Sequence, residues 1–259
     1  MEERGRTSVG PKPDRFWDWY SRFYDSVYVL MPYRQLLWDV YQALELEPNM
    51  RVLDAGCGTG NLELFVSEKP HPPAEFHGID FSPEMLARAR HKCRNLEFAT
   101  FTQHDLSKPL PYPDASFDRI VSVNVLYALE QRDETMRELL RVLKPEGRIV
   151  LTSPTPEFSI GPLLFDHVRR IRNIWGFSRK MRRVLTGSWT LVTSGLGSIV
   201  LNVAVINRRE SAGHYDSLDL EGFETFLARH QQSGLADVAI GPALAQQNLF
   251  ATATKMAVA

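Results

Sequence analysis

Apolar positions along the chain follow two periods. Short apolar runs lie within Arg51–Asp54, Glu75–Asp80, Leu96–Thr102, Arg119–Leu126 and Arg148–Thr152, and read as strands. Between them, apolar residues recur three and four apart, which predicts helices at Tyr33–Leu46, from Leu62 onward, from Pro83 to Cys93 and over Asp133–Leu143. The last of these is stopped by Lys144-Pro145-Glu146-Gly147. The nearly unbroken run ending at Leu126 suits a central parallel strand covered on both faces. Strand and helix in alternation predict an α/β domain.

The first strand runs into Val52–Asn61, Val-Leu-Asp-Ala-Gly-Cys-Gly-Thr-Gly-Asn. Glycines at 56, 58 and 60 allow a tight strand-to-helix turn and let a ligand approach the backbone. The spacing is Gly-x-Gly-x-Gly, unlike the Gly-x-Gly-x-x-Gly of dinucleotide turns, and an acid, Asp54, precedes it. A carboxylate there suits a ligand with a positive charge, such as an amino group, better than a pyrophosphate, which wants N–H donors and no anion.

Asp80 ends the second strand twenty residues after Gly60. A doubly wound nucleotide site places an acid there for ribose hydroxyls, and a carboxylate can accept from two adjacent hydroxyls at once. Ser82-Pro83-Glu84 opens the next helix, with Ser82 as N-cap and Pro83 in the first turn. Gln103-His104-Asp105 follows the third strand. Asp105 there either accepts from an exocyclic amino group, such as adenine's, or turns its own loop. Asn124 and Tyr127 stand near the carboxyl end of the fourth strand, the side on which open α/β sheets bind ligands.

Residues 1–14 are polar, hold Gly5, Gly10, Pro11 and Pro13, and read as a flexible tail. Arg15–Leu30 carries Phe16, Trp17, Trp19, Tyr20, Phe23, Tyr24 and Tyr28 at spacings that suit a helix with one apolar face. Such a helix either packs on the main domain or covers a ligand site, and both readings stand. Composition changes the picture little. A net charge of −1 gives no field that favours nucleic acid. Cys57 and Cys93 form no disulfide framework and no metal-ligand spacing, and Cys57 reads as a small packing residue. Met-Glu-Glu-Arg-Gly-Arg lacks an apolar signal core, so a cytoplasmic location is expected.

Taken in this order, Val52–Asn61, Gly78–Ser82, His104–Asp105, Leu110–Asp118 and Arg137–Leu151 resemble the class I S-adenosylmethionine (SAM)-dependent methyltransferases, in the branch that methylates quinones, phospholipids and small molecules. The resemblance implies a Rossmann-like, seven-stranded, mostly parallel sheet with helices on both faces. Glu221–Gln232 fits the helix before its final antiparallel pair, Ala236–Ile240 and Gln247–Lys255 fit that pair, and Gly241-Pro242 begins the turn. It also implies SAM as cofactor, held by Asp54, Gly56, Cys57, Gly58, Gly60, Asp80, Phe81, His104, Asp105 and Asn124. Asp54 and the glycines lie beside the methionine part, Asp80 on the ribose and Asp105 by the adenine.

Residues 155–218 exceed a simple crossover and read as a helical cap inserted after strand five, within one domain over 15–259. Phe165–Val184 is basic and amphipathic, with Arg169, Arg170, Arg172, Arg179, Lys180, Arg182 and Arg183 against Asp166. It suits either peripheral contact with an anionic membrane surface or substrate, or a plain solvated face. Trp189–Asn207 has no charge but is too polar for a membrane span, and reads as a helix buried against the core or lining an apolar pocket.

The expected reaction is in-line transfer of a methyl group to a small, hydrophobic or lipid-like acceptor, achieved largely by positioning in a dry site. Tyr24, Asn124, Tyr127 and His214 are candidate acceptor contacts. No cluster of metal-ligating residues stands out. The alternatives are a methyltransferase of small polar metabolites, a non-catalytic SAM-binding protein, and a nicotinamide oxidoreductase, against which Asp54 and the glycine spacing count.

Overall fold

The structure is a computed structural model and describes residues 16–70, 75–174 and 216–257. The predicted tail, the second half of the basic stretch, Trp189–Asn207 and His214 lie outside the described residues.

The seven strands are β1 Arg51–Ala55, β2 Glu75–Asp80, β3 Ala99–Gln103, β4 Phe117–Val123, β5 Leu143–Pro154, β6 Leu235–Ala243 and β7 Asn248–Lys255. They form one sheet in the order β3-β2-β1-β4-β5-β7-β6. The first five are parallel, while β7 runs antiparallel to both β5 and β6. From β1 the chain first steps outward to β2 and β3, then crosses to β4 on the other side. This reversal opens a crevice at the carboxyl ends of β1 and β4, where open α/β sheets take ligands.

Period-two alternation divides the core. Leu53, Ile79, Ile120, Ile149 and Leu151 face one layer, formed with α5 (Arg132–Val142) and α7 (Leu220–Gln231). Val52, Phe76, Val121 and Val150 face the other, formed with α2 (Met31–Leu44) and α3 (Asn61–Ser67). Both faces are therefore covered, as the unbroken apolar runs require.

Ahead of α2 stand α1 (Phe16–Tyr24) and a 3-10 turn (Asp25–Val29). This cover packs on α4 (Pro83–Lys92), where Tyr20, Met85 and Tyr127 form a third apolar cluster. The basic stretch begins as α6 (Ile160–Ile174), packed along α2. Its Arg169 and Arg170 both pair with Asp166, and Arg170 also donates to Gln35. Among the described residues no helix is long and apolar enough to cross a membrane.

Four boundaries differ from expectation. Leu96 to Phe98 is a turn, closed by Leu96 N–H on Cys93 O at 2.9 Å and Ala99 N–H on Leu96 O at 3.2 Å, so β3 starts at Ala99. The fourth strand stops at Val123, because Asn124 turns left-handed at φ 57° and a 3-10 turn, Leu126–Ala128, follows. Helix α5 ends before Lys144 as predicted, yet pairing resumes at once between Leu143 and Phe117, through an irregularity that holds Glu146 at φ 60°. Gly241 and Pro242 do not turn: they pair with Phe250 and Leu249 on β7. Pro242 is tolerated because β6 is an edge strand, and the turn falls at Leu244, Ala245 and Gln246, all left-handed.

Candidate functional site

The glycine turn folds as its spacing predicts. Gly56, Gly58 and Gly60 sit at φ 87°, 54° and 74°, a region other residues enter at a cost. Gly56 and Cys57 both donate their N–H to Ile79 O, at 2.8 and 3.0 Å, which fixes the turn to the end of β2. A Cβ on Gly56 would lie 2.3 Å from Val125 Cγ2, so the turn also abuts the segment after β4. Gly60 instead packs under α4, where a Cβ would meet Cys93, Ala89 and Phe101 at 3.1–3.3 Å.

Asp80 stands at the rim of this turn. Gly58 N–H donates to its Oδ2 and Ser82 N–H to its Oδ1, both at 2.9 Å. Two backbone donors thus fix the carboxylate's plane and leave lone pairs on both oxygens for a ligand. Burial raises its pKa, and the bonds from Ser82 and Gly58 oppose that rise.

Behind the turn lies a pair of buried acids that make no salt bridge among the described residues. Asp54 is 2% exposed and its Oδ1 accepts no hydrogen bond. Glu63, in the first turn of α3, is wholly buried and neither oxygen is bonded. Burial, then the neighbouring Glu63 and Asp80, raises Asp54 well above the usual carboxylate range, and burial pushes Glu63 up to about 8. Without a cation these acids favour the protonated form, and a ligand's positive charge would favour the ionised one.

A cavity of about 730 Å³ opens in front of the turn. Gly56, Gly58, Asp80, Phe81, His104 and Asp105 line it together. Asn124, Val125 and Tyr127 line it from the carboxyl end of β4, and Trp17, Tyr20 and Tyr24 from the cover. Val27, Leu30, Phe158, Leu163 and Leu244 add an apolar wall. The aromatic helix is therefore a cover and a packed helix at once. The edge-to-face pairs Trp17–Tyr20 and Tyr20–Tyr24, at 5.6 and 5.7 Å between centroids, give that cover its shape. Burial raises the pKa of Tyr24 and pushes Tyr33 up to about 12, so both keep their protons as phenols.

Of the twelve predicted site residues that are described, nine line this cavity: Tyr24, Gly56, Gly58, Asp80, Phe81, His104, Asp105, Asn124 and Tyr127. Asp54, Cys57 and Gly60 are not on its wall: they lie behind or beneath the turn. Burial raises the Cys57 pKa, which keeps it a thiol and fits its reading as a packing residue. Asp105 is on the wall, yet its Oδ1 already accepts from Ser107 N–H at 3.0 Å and Ser107 Oγ at 2.7 Å, the turn-forming alternative. Against partial burial, those bonds and Lys108 hold its pKa below the usual value. His104 Nε2 is buried there without a partner. Sequence reasoning missed Glu63 and the distant Leu163 and Leu244. A charged residue in a helix's first turn reads as a surface group, and the last two carry no local signal.

Comparisons with known proteins bear on the family and the fold. A family profile described as a methyltransferase domain matches residues 46–175. A demethylmenaquinone methyltransferase of Thermus thermophilus is 38% identical over 133 residues, 50% of this chain and 59% of that protein. A ubiquinone/menaquinone biosynthesis C-methyltransferase of Geotalea daltonii is 31% identical over 128 residues, 48% of this chain and 53% of that one. The chain spans about half the length of the curated relatives it matches. In fold it resembles the crystal structure of a putative SAM-dependent methyltransferase from Methanococcus maripaludis, with a TM-score of 0.62, 15% identity, and coverage of 96% of this chain and 98% of that one. The nicotinamide alternative drops away with the profile match. With its strand order, glycine turn and matched profile, this chain belongs to the methyltransferase-domain family, as a class I SAM-dependent member.

Proposed function

We propose that this chain transfers the methyl group of SAM to a small, hydrophobic or lipid-like acceptor held in the cavity before the glycine turn. The observation that carries the reading is Asp80, whose two oxygens are set by backbone N–H groups at the cavity's rim, as a ribose diol requires. The rest of the site fits the same ligand. The unbonded Asp54 oxygen and Glu63 offer negative charge for the ammonium of the methionine part, and Gly56 and Gly58 let it approach. Asp105 and His104 stand where the adenine would lie.

When bound, SAM supplies a methyl group on a positively charged sulfur, ready for attack from the opposite side. The chain's own share is positioning and drying. Trp17, Tyr20 and Tyr24 close the cavity, and the wall of Val27, Leu30, Phe158, Leu163 and Leu244 excludes water from the attacking atom. That wall also supports an apolar acceptor, as do the quinone-methylating names of the relatives. Arg169 and Arg170, engaged by Asp166, lend no support to a lipid-facing basic surface on α6.

Two measurements test the proposal. Calorimetry with SAM should show Asp80→Ala binding at least about tenfold more weakly, from the loss of charge-assisted bonds; equal affinity would sink the assignment of the site. Methyl-labelled SAM, incubated with the protein and a cell extract, should leave label in the organic phase. Label confined to water-soluble products would overturn the apolar acceptor.

A further inference from the structure

We propose that Asn124 selects the acceptor by donating its side-chain amide N–H to an oxygen of it, so the acceptor carries a carbonyl-type or phenolate oxygen on an apolar body. The inference rests on the methyltransferase reading of the cavity. Asn124 leaves β4 in the left-handed region at φ 57°, which asparagine adopts more readily than most residues. Its backbone N–H donates to Thr152 O at 3.0 Å and to Thr152 Oγ1 at 3.1 Å. With Oγ1 already accepting, the Thr152 hydroxyl donates, and its bond runs to Asn124 Oδ1 at 2.9 Å. Asn248, at the start of β7, donates its Nδ2 to the same oxygen.

Both lone pairs of Asn124 Oδ1 are thereby taken by the sheet. Thr152 and Asn248 are wholly buried, so neither competes for the ligand. Turning the Asn124 amide by itself would forfeit the bonds from both Thr152 and Asn248. Nδ2 is left without a partner among the described residues, on a side chain that lines the cavity. Val125, Phe158, Leu163 and Leu244 line the same cavity, and their side chains carry no hydrogen-bonding atom. A fixed donor in an apolar wall discriminates strongly, because a ligand without a matching lone pair leaves the donor unpaired.

The test uses the full chain and two probes of one shape: 1-tetralone, a ketone on an apolar bicycle, and tetralin, the same bicycle without oxygen. Ligand-observed NMR titration should show the wild-type protein preferring the ketone by about five- to tenfold, the worth of one hydrogen bond. Asn124→Asp keeps an oxygen for Thr152 and Asn248 but replaces the donor with an acceptor, and should abolish or reverse the preference. Asn124→Gly, also at ease with the left-handed backbone, should bring the two affinities together. A wild-type protein indifferent to the ketone, or a preference unchanged in both variants, overturns the inference. SAM titrated separately keeps the two readings apart. Intact SAM binding with an unchanged preference sinks only the role of Asn124, while absent SAM binding by the wild-type protein sinks the methyltransferase reading beneath it.

Discussion

The hydroxyl of Ser82 donates to Asp18 Oδ1 at 2.7 Å while accepting the N–H of Met85 at 3.2 Å. One buried oxygen thus caps α4 and anchors the cover, two residues from Asp80. Ser82→Ala should lower the unfolding free energy by about 1–2 kcal/mol from the lost cap. It should also speed hydrogen exchange in residues 16–29. A double-mutant cycle with Asp18→Ala should show coupling of about 0.5 kcal/mol or more. Strict additivity would mean that the bond contributes nothing to docking the cover.

Two glycines of the same turn should respond differently. Alanine at Gly56 meets Val125 at 2.3 Å with φ at 87°, and should cost about 3 kcal/mol or more and abolish SAM binding. Alanine at Gly58 meets only Tyr24 Cε1 at 3.7 Å, so its cost is that of the left-handed backbone, about 1–2 kcal/mol. Thermal melts of the two variants would settle the order. Equal losses would show that clash with Val125 is relieved by movement of that segment.

Stability should depend on pH through Glu63. Its pKa in the folded chain, about 8, stands above the unfolded value of 4.5 because of burial. The folded state therefore binds the proton more tightly. The stabilisation is complete below pH 4.5 and is lost as pH rises through about 8, by a few kcal/mol on the order of the shift. Glu63→Gln cannot ionise and should flatten that decline, with a higher melting temperature than wild type at pH 8.5 and little difference at pH 5. Parallel curves for the two proteins would contradict the assignment.

Lys92 should act as the second anchor of the cover. Its Nζ bonds Asp25 Oδ1 at 2.7 Å, Thr59 Oγ1 at 3.0 Å and Asn61 Oδ1 at 2.5 Å, and so joins the 3-10 turn, the glycine turn and α3. Lys92→Met leaves partly buried Asp25 without its cation and should cost about 2 kcal/mol. Limited proteolysis should then cut within residues 16–29 before the sheet is attacked. Unchanged cleavage would show that apolar packing alone holds the cover.

What could be read from the sequence was local. The glycine turn, the cap at Ser82 and the strand ending in Asp80 depend on residues a few positions apart, and each folds as its chemistry dictates. The boundary at Asn124 was hidden because an apolar run continues through Val125 and Leu126, and only the backbone reveals that the strand has already turned. Gly241-Pro242 resembled a turn because its tolerance on an edge strand depends on sheet order. The contacts from Thr152 and Asn248 to Asn124 join residues 28 and 124 positions apart, and no pattern in either segment announces the meeting.

Strand β7 follows all six other strands in sequence yet lies inside the sheet, between β5 and β6. During synthesis β5 must therefore wait with one edge open until more than ninety further residues have emerged, since Pro154 pairs with Asn248. Such late, long-range pairing is slow and leaves an adhesive edge exposed in the meantime. The same strand delivers Asn248 to Asn124. A ribosome-bound chain thus has its glycine turn early but cannot finish the acceptor wall until almost all of the described sequence has left the exit tunnel.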